Sequence, residues 1–122
     1  GLLPLFQLDR PVKENLAGAL KAALDTPEIR DSVLAVTWCR TDSETNLKLL
    51  YVPKSSITDT SELEEKMRTA TQHITHELQA QLDLQGVRYS GLREHIADPD
   101  FRRRAVDEGT PIVGPNLRTL II

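Results

Sequence analysis

Two short apolar runs, Val33-Leu-Ala-Val-Thr-Trp-Cys39 and Leu47-Lys-Leu-Leu-Tyr-Val52, flank the polar stretch Arg40-Thr-Asp-Ser-Glu-Thr-Asn46. Each run is rich in β-branched and aromatic residues and too short for a typical helix, so both read as strands. The polar stretch between them is turn-prone, and a hairpin is the natural connection. Pro53 stops the second strand. This hairpin needs a helix to cover it, and the flanking sequence supplies one on each side.

Before the hairpin, Asp9-Arg10-Pro11 carries an N-capping oxygen and a proline suited to a first helical turn. Val12, Leu16, Ala19, Leu20, Ala23 and Leu24 then recur at helical spacing. Proline disfavours helical geometry in the residue before it, so this helix stops ahead of Thr26-Pro27. After the hairpin, Ser61 and Glu64 have the spacing of a capping box. Leu63, Met67, Ala70, Ile74, Leu78 and Leu82 then step by three or four along one apolar stripe, and Gln85-Gly86 is expected to end this longest helix. Val87-Arg-Tyr-Ser-Gly-Leu92 reads as a third strand. Asp98-Pro99 opens a short helix containing Arg102-Arg103-Arg104, which Gly109 is placed to end. With two prolines and a purely apolar end, residues 110–122 are expected to form an extended arm.

The expected order is therefore helix, strand, strand, long helix, strand: an α+β domain with helices on one face of a three-stranded sheet. It divides into an extended N-terminal segment, residues 1–9, a central domain, residues 10–92, and a C-terminal helix with tail, residues 93–122. A chain of 122 residues is one domain's worth, long enough to bury about two-thirds of its unfolded surface in a single core. A hydrophobic share of 39% and a charged share of 27% suit a soluble protein, and no apolar run approaches the roughly 20 residues needed to cross a bilayer. No membrane partner is expected.

The chemical candidates are few. His73 and His76 stand three apart on the long helix, followed by Glu77. The zinc-protease pattern His-Glu-x-x-His fails here, because Leu78, Gln79 and Ala80 follow His76-Glu77, and the further ligands that a metal needs are missing. No metal, cofactor or small-molecule substrate is expected. Cys39 cannot form an internal disulfide and sits in an apolar run, which suits a buried structural thiol in a reducing compartment. There is no Gly-rich phosphate loop and no Gly-x-Ser-x-Gly elbow. Paired carboxylates such as Glu64 and Glu65 read as a solvated helix face.

The formal net charge of -3 opposes tight non-specific binding of nucleic acid, so any such role must rest on a local patch. Arginines gather toward the C-terminus, where residues 85–122 carry six of them. The run Arg102 to Arg104 suits phosphate by bidentate pairing. It equally suits a solvated helix face balanced by Asp98, Asp100, Asp107 and Glu108.

The order of elements resembles a type II KH domain, a fold that binds nucleic acid. Residues from about 10 to 92 more specifically resemble ribosome-binding factor A, a small-subunit assembly factor. Asp25-Thr26-Pro27-Glu28-Ile29-Arg30 stands where that family has an Asp-Pro-Arg-Leu type turn. Asp42 keeps the aspartate of the family's turn after strand one, and Leu47-Lys48-Leu49 opens strand two. Ala70-Thr71-Gln72-His73-Ile74-Thr75, then Leu78, Leu82 and Leu84-Gln85-Gly86-Val87-Arg88, follow the spacing of the family's long helix and the junction after it. Gln72 replaces the glycine of the family's Ala-x-Gly kink, and Arg88 replaces a proline.

The resemblance implies a non-enzymatic factor that binds rRNA in the immature small subunit, with a helix kink at Ala70, Thr71 and Gln72. It implies RNA contacts from Lys66, Arg68, Thr71, Gln72, His73 and His76, with phosphate contacts from Arg88, Arg102, Arg103 and Arg104. Expected partners are small-subunit rRNA, ribosomal proteins and other assembly factors. The alternative is a degenerate KH-like module that joins proteins within a ribosomal ribonucleoprotein, which the acidic balance and the apolar ends Leu2 to Phe6 and Leu120 to Ile122 favour. A start at Gly1, together with an acidic version of a bacterial-type factor, suggests a mitochondrial protein whose transit peptide has been removed; a bacterial cytoplasmic protein is the other reading.

Overall fold

The structure is a computed structural model in which residues 15–121 are described. The N-terminal segment, the helix start at Asp9-Arg10-Pro11 and Ile122 lie outside the described residues. Helix α1, Leu16–Leu24, is capped by the side chain of Asn15, which accepts a hydrogen bond from the Gly18 amide at 3.2 Å. Asp25 ends it, as the following Thr26-Pro27 requires, and Pro27 opens the short helix α2, Pro27–Arg30. Strands β1, Val33–Trp38, and β2, Asn46–Pro53, pair antiparallel as the expected hairpin.

Helix α3 spans Ser61–Leu78. Its capping box does not form. The Ser61 amide bonds back to Asp59 at 3.0 Å, and Glu64 accepts instead from the hydroxyl of Tyr51 on β2. The helix also stops earlier than its apolar stripe suggests, because Gln79 adopts the left-handed conformation at φ 53° and turns the chain into strand β3, Gln81–Gly86. Strand β3 runs parallel to β2, pairing Leu82 with Leu47 and Gly86 with Tyr51. The expected third strand, Val87 to Leu92, is therefore corrected: its residues open helix α4, Tyr89–Ala97. Helix α5, Pro99–Arg102, is capped by Asp98 as expected and leads into a π-helical turn, Arg103–Asp107. The tail is not an extended arm. Strand β4, Thr110–Val113, pairs antiparallel with β1, and α6, Leu117–Leu120, follows.

The fold is α+β, with a four-stranded mixed sheet in the order β3-β2-β1-β4. The expected three strands with helices on one face give way to four strands covered on both. On β2, Leu49, Leu50, Tyr51 and Val52 are all buried in succession, so neither face can be left to water. Leu47, Leu49 and Tyr51 join Leu20, Leu24, Met67 and Ile74 in a core under α1 and α3. Leu50 and Val52 join Val87, Leu92, Val106 and Leu117 in a second core under α4, the π turn and α6. Burying each large side chain contributes about 1.5–3 kcal/mol, so both cores matter to stability.

Thr37, next to the end of β1, is 1% exposed and its hydroxyl has no hydrogen-bond partner among the described residues. An unpaired buried hydroxyl carries a desolvation penalty that a methyl group of similar shape avoids. Thr37→Val is accordingly expected to stabilise the fold by about 1 kcal/mol, read as a higher denaturant midpoint at unchanged slope.

Candidate nucleic-acid interface

Helix α3 faces the sheet with Leu63, Met67, Thr71 and Ile74, all buried, which leaves its opposite side to solvent. That side carries Glu62, Glu65, Arg68, Thr69, Gln72, His73 and His76, all exposed, and the half-buried Lys66. The helix continues unbroken through Ala70, Thr71 and Gln72. Thr71 Oγ1 bonds to the Met67 carbonyl at 2.8 Å and Thr75 Oγ1 to the Gln72 carbonyl at 3.1 Å. Such back-bonding by hydroxyls competes with the helical ladder and favours curvature where glycine is absent. Thr71 cannot touch a ligand: it is 0% exposed and its hydroxyl is spent inside the helix. This corrects its place among the expected contacts.

Beside α3, a groove of about 280 Å³ runs between the helix and edge strand β3, lined by Glu65, Arg68, Thr69, Gln72, Thr75 and Leu82. Arg68 reaches Glu64 at 3.8 Å, and Lys66 reaches Glu62 at 3.6 Å, both along one helix turn. Exposed pairs of this kind are worth only about 0–1 kcal/mol, so the cations exchange partners at small cost. Glu64 in particular keeps the Tyr51 hydroxyl when Arg68 leaves it. His73 and His76 are exposed, and no group of three metal-ligating side chains occurs among the described residues.

The remaining expected cations do not join this surface. Arg88 donates to the backbone carbonyls of Ile57 and Thr58, the latter at 3.0 Å, and so ties the start of α4 to the loop that precedes α3. Arg103 pairs with Asp100 at 2.9 Å and with Glu108 at 3.8 Å. Arg104 holds Asp42 at 2.9 Å and Asp100 at 3.2 Å and also donates to the Arg40 carbonyl, closing the β1–β2 loop onto the π turn. Arg102 is exposed and makes no ion pair among the described residues. The Arg102 to Arg104 run belongs to elements packed on the second core, whereas α3 packs on the first, so the two groups lie on opposite faces of the sheet.

The clamp around Arg104 has an acid limit. Hydrogen bonding to Arg104 holds the Asp42 carboxyl below its ordinary value of 3.8, and hydrogen bonds from Arg103 and Arg104 do the same for Asp100. Depressed folded-state values contribute stability that is present above the ordinary carboxylate range and lost as pH falls through the lowered values. The melting temperature, followed from about pH 6 to about pH 3, is expected to fall less steeply in Asp42→Asn and Asp100→Asn than in the parent chain.

Cys39 is 3% exposed, and burial pushes its thiol up to about 11, the reverse of what a nucleophile needs. It lines a second concavity of about 290 Å³ on the far face of the sheet, with Arg40, Lys48, His95 and Arg104 at its walls. Sequence reasoning missed Lys48 there; its signal is a lone cation inside the apolar run of β2. Asp83 is its partner in the β2–β3 register, and Asp98 and Asp100 also line the concavity, so the charges there balance. Searches against protein-family models, curated proteins and solved structures find no match to this chain.

Proposed function

We propose that the chain is a non-enzymatic assembly factor of the small ribosomal subunit, acting in the manner of ribosome-binding factor A and docking on immature rRNA through the outer side of α3. The observation that supports this reading is the succession of α1, the short α2, β1, β2, α3 and β3, with β3 formed by residues 81–86 rather than 87–92, and an open groove beside the long helix. Arg68, Gln72, His73 and His76 are the contacts, with Lys66 at the margin. Cations there position the phosphate backbone, and the shape of the groove selects a single-stranded or irregular rRNA segment. The work is conformational holding: the factor stabilises one rRNA arrangement until maturation removes its site. A mitochondrial location is proposed, with the bacterial cytoplasm as the alternative.

Binding to purified small-subunit precursors, measured across a salt series, tests the reading. Affinity is expected to fall as salt rises, and Arg68→Glu is expected to weaken it about tenfold while Arg103→Glu on the opposite face changes it by less than about twofold. Salt-insensitive association, or equal effects of the two reversals, would overturn it.

A second reading, a KH-like module that joins proteins in a ribonucleoprotein, is favoured by one observation. Lys66, Arg68, Arg103, Arg104 and Arg118 are each already paired with a carboxylate of the same chain. Unchanged incorporation of both reversal variants into the precursor particle would favour this reading.

A further inference from the structure

A groove of about 590 Å³ opens where α1, α2 and α3 meet, next to the groove at β3, with which it shares Glu65 and Thr69. Its origin is a matter of side-chain size. Ala23 on α1 and Ala70 on α3 leave a gap that larger residues would have closed, and Pro27 and Ile29 extend its apolar floor. Its rim carries three carboxylates, Glu28 from α2 and Glu62 and Glu65 from α3, against one cation, Lys66. Glu62 is paired with Lys66, but Glu28 and Glu65 make no ion pair among the described residues.

An apolar floor inside a carboxylate rim selects its occupant by charge. Three carboxylates outnumber Lys66 there, so phosphate is disfavoured and a basic partner is favoured. A second copy of the chain, itself at formal net charge -3, is disfavoured on the same ground. We propose that this groove is a docking site for a basic amphipathic helix of a partner protein, which seats apolar anchors one helical turn apart against Ala23, Pro27, Ile29 and Ala70. Its lysines or arginines pair with Glu28 and Glu65. The groove shares Glu65 and Thr69 with the one beside β3 and Lys66 with the margin of the rRNA surface, so Glu28 and Glu62 are the carboxylates that set it apart.

The test uses the full chain, labelled with ¹⁵N, titrated with a synthetic helical peptide of leucine and lysine at amphipathic spacing. A leucine/glutamate peptide of the same pattern and a short polyuridine RNA serve as comparisons. Amide shifts are expected to centre on Ala23, Thr26 to Ile29 and Glu62 to Ala70 with the leucine/lysine peptide alone. The double variant Glu28→Lys/Glu65→Lys is expected to weaken that peptide at least about tenfold, whereas Glu44→Lys/Glu94→Lys, which changes net charge equally elsewhere, keeps it within about twofold. All four side chains are exposed, so both variants should melt with the parent. Shifts that map elsewhere, equal binding of the leucine/glutamate peptide, equal loss in both double variants, or RNA shifts centred on this groove would each overturn the proposal. So would failure of the leucine/lysine peptide to bind, or occupation of the groove in the free chain by the leucines of residues 1–14.

Discussion

Leu50→Ala is expected to destabilise the fold by about 3 kcal/mol and to lower the melting temperature by roughly 10–15 °C. Leu50 is 0% exposed and belongs to the second core, with Val52, Val87, Leu92 and Leu117. Its neighbour Leu49 is equally buried but points into the first core, with Leu20, Met67 and Ile74. Leu49→Ala should therefore cost a similar amount, and because the two side chains occupy opposite faces, the double variant should approach the sum of the singles. In a sheet covered on one face alone, Leu50 would sit at the surface and its loss would stay within about 0.5 kcal/mol. Chemical denaturation of the three variants separates the two architectures directly.

Gly114→Ala is the second large effect, expected at about 2–3 kcal/mol. Gly114 has φ +71°, a left-handed conformation that L side chains resist, and a Cβ placed there would lie 2.4 Å from the Leu34 carbonyl oxygen on β1. The obstacle is backbone, which cannot rotate aside. Asparagine, which tolerates left-handed geometry better than alanine, should therefore fail to rescue the site, because its Cβ meets the same carbonyl. Loss of the close approach loosens β4 and α6 from β1, so limited proteolysis should cut residues 110–121 in the variant well before global unfolding. A tail that resists cleavage as it does in the parent would count against the docked C-terminus.

Several elements were legible because their signals are local. The β1–β2 hairpin follows from two β-rich runs around a polar loop, and the end of α1 follows from Thr26-Pro27. The apolar stripe Leu63, Met67, Ala70 and Ile74 foretold which side of α3 meets the sheet. Strand β3 was missed because Leu78 and Leu82 are four apart and continue the helical stripe, yet Leu82 and Leu84 alternating with Gln81, Asp83 and Gln85 carry a strand's period of two. Strand β4 was missed because Pro111 argues against a strand, although an edge position tolerates it. The one-face sheet was expected in spite of the unbroken apolar run Leu49 to Val52, a signal of burial on both faces.

Of the candidate interface, the exposure of Arg68, Gln72, His73 and His76 was legible from the helical wheel. Thr71 lies four after Met67 and three before Ile74, so the wheel already placed it on the buried side, and only the family resemblance made it a contact; its hydroxyl bonds to the Met67 carbonyl. The roles of the arginines were least legible. Arg104 meets Asp42 across 62 positions of sequence, and Arg88 meets the Ile57 and Thr58 carbonyls across 31 and 30.

By itself, then, the sequence determined the α+β class, the hairpin, the buried side of α3 and the burial of Cys39, since periodicity, turn chemistry and hydropathy act over a few residues. The tertiary structure alone decided which carboxylates and carbonyls the cations pair with, which face of the sheet each one occupies, and where Ala23 and Ala70 leave a groove with three glutamates at its rim. Those outcomes depend on contacts between residues far apart in the chain, whose combined energies override local preference.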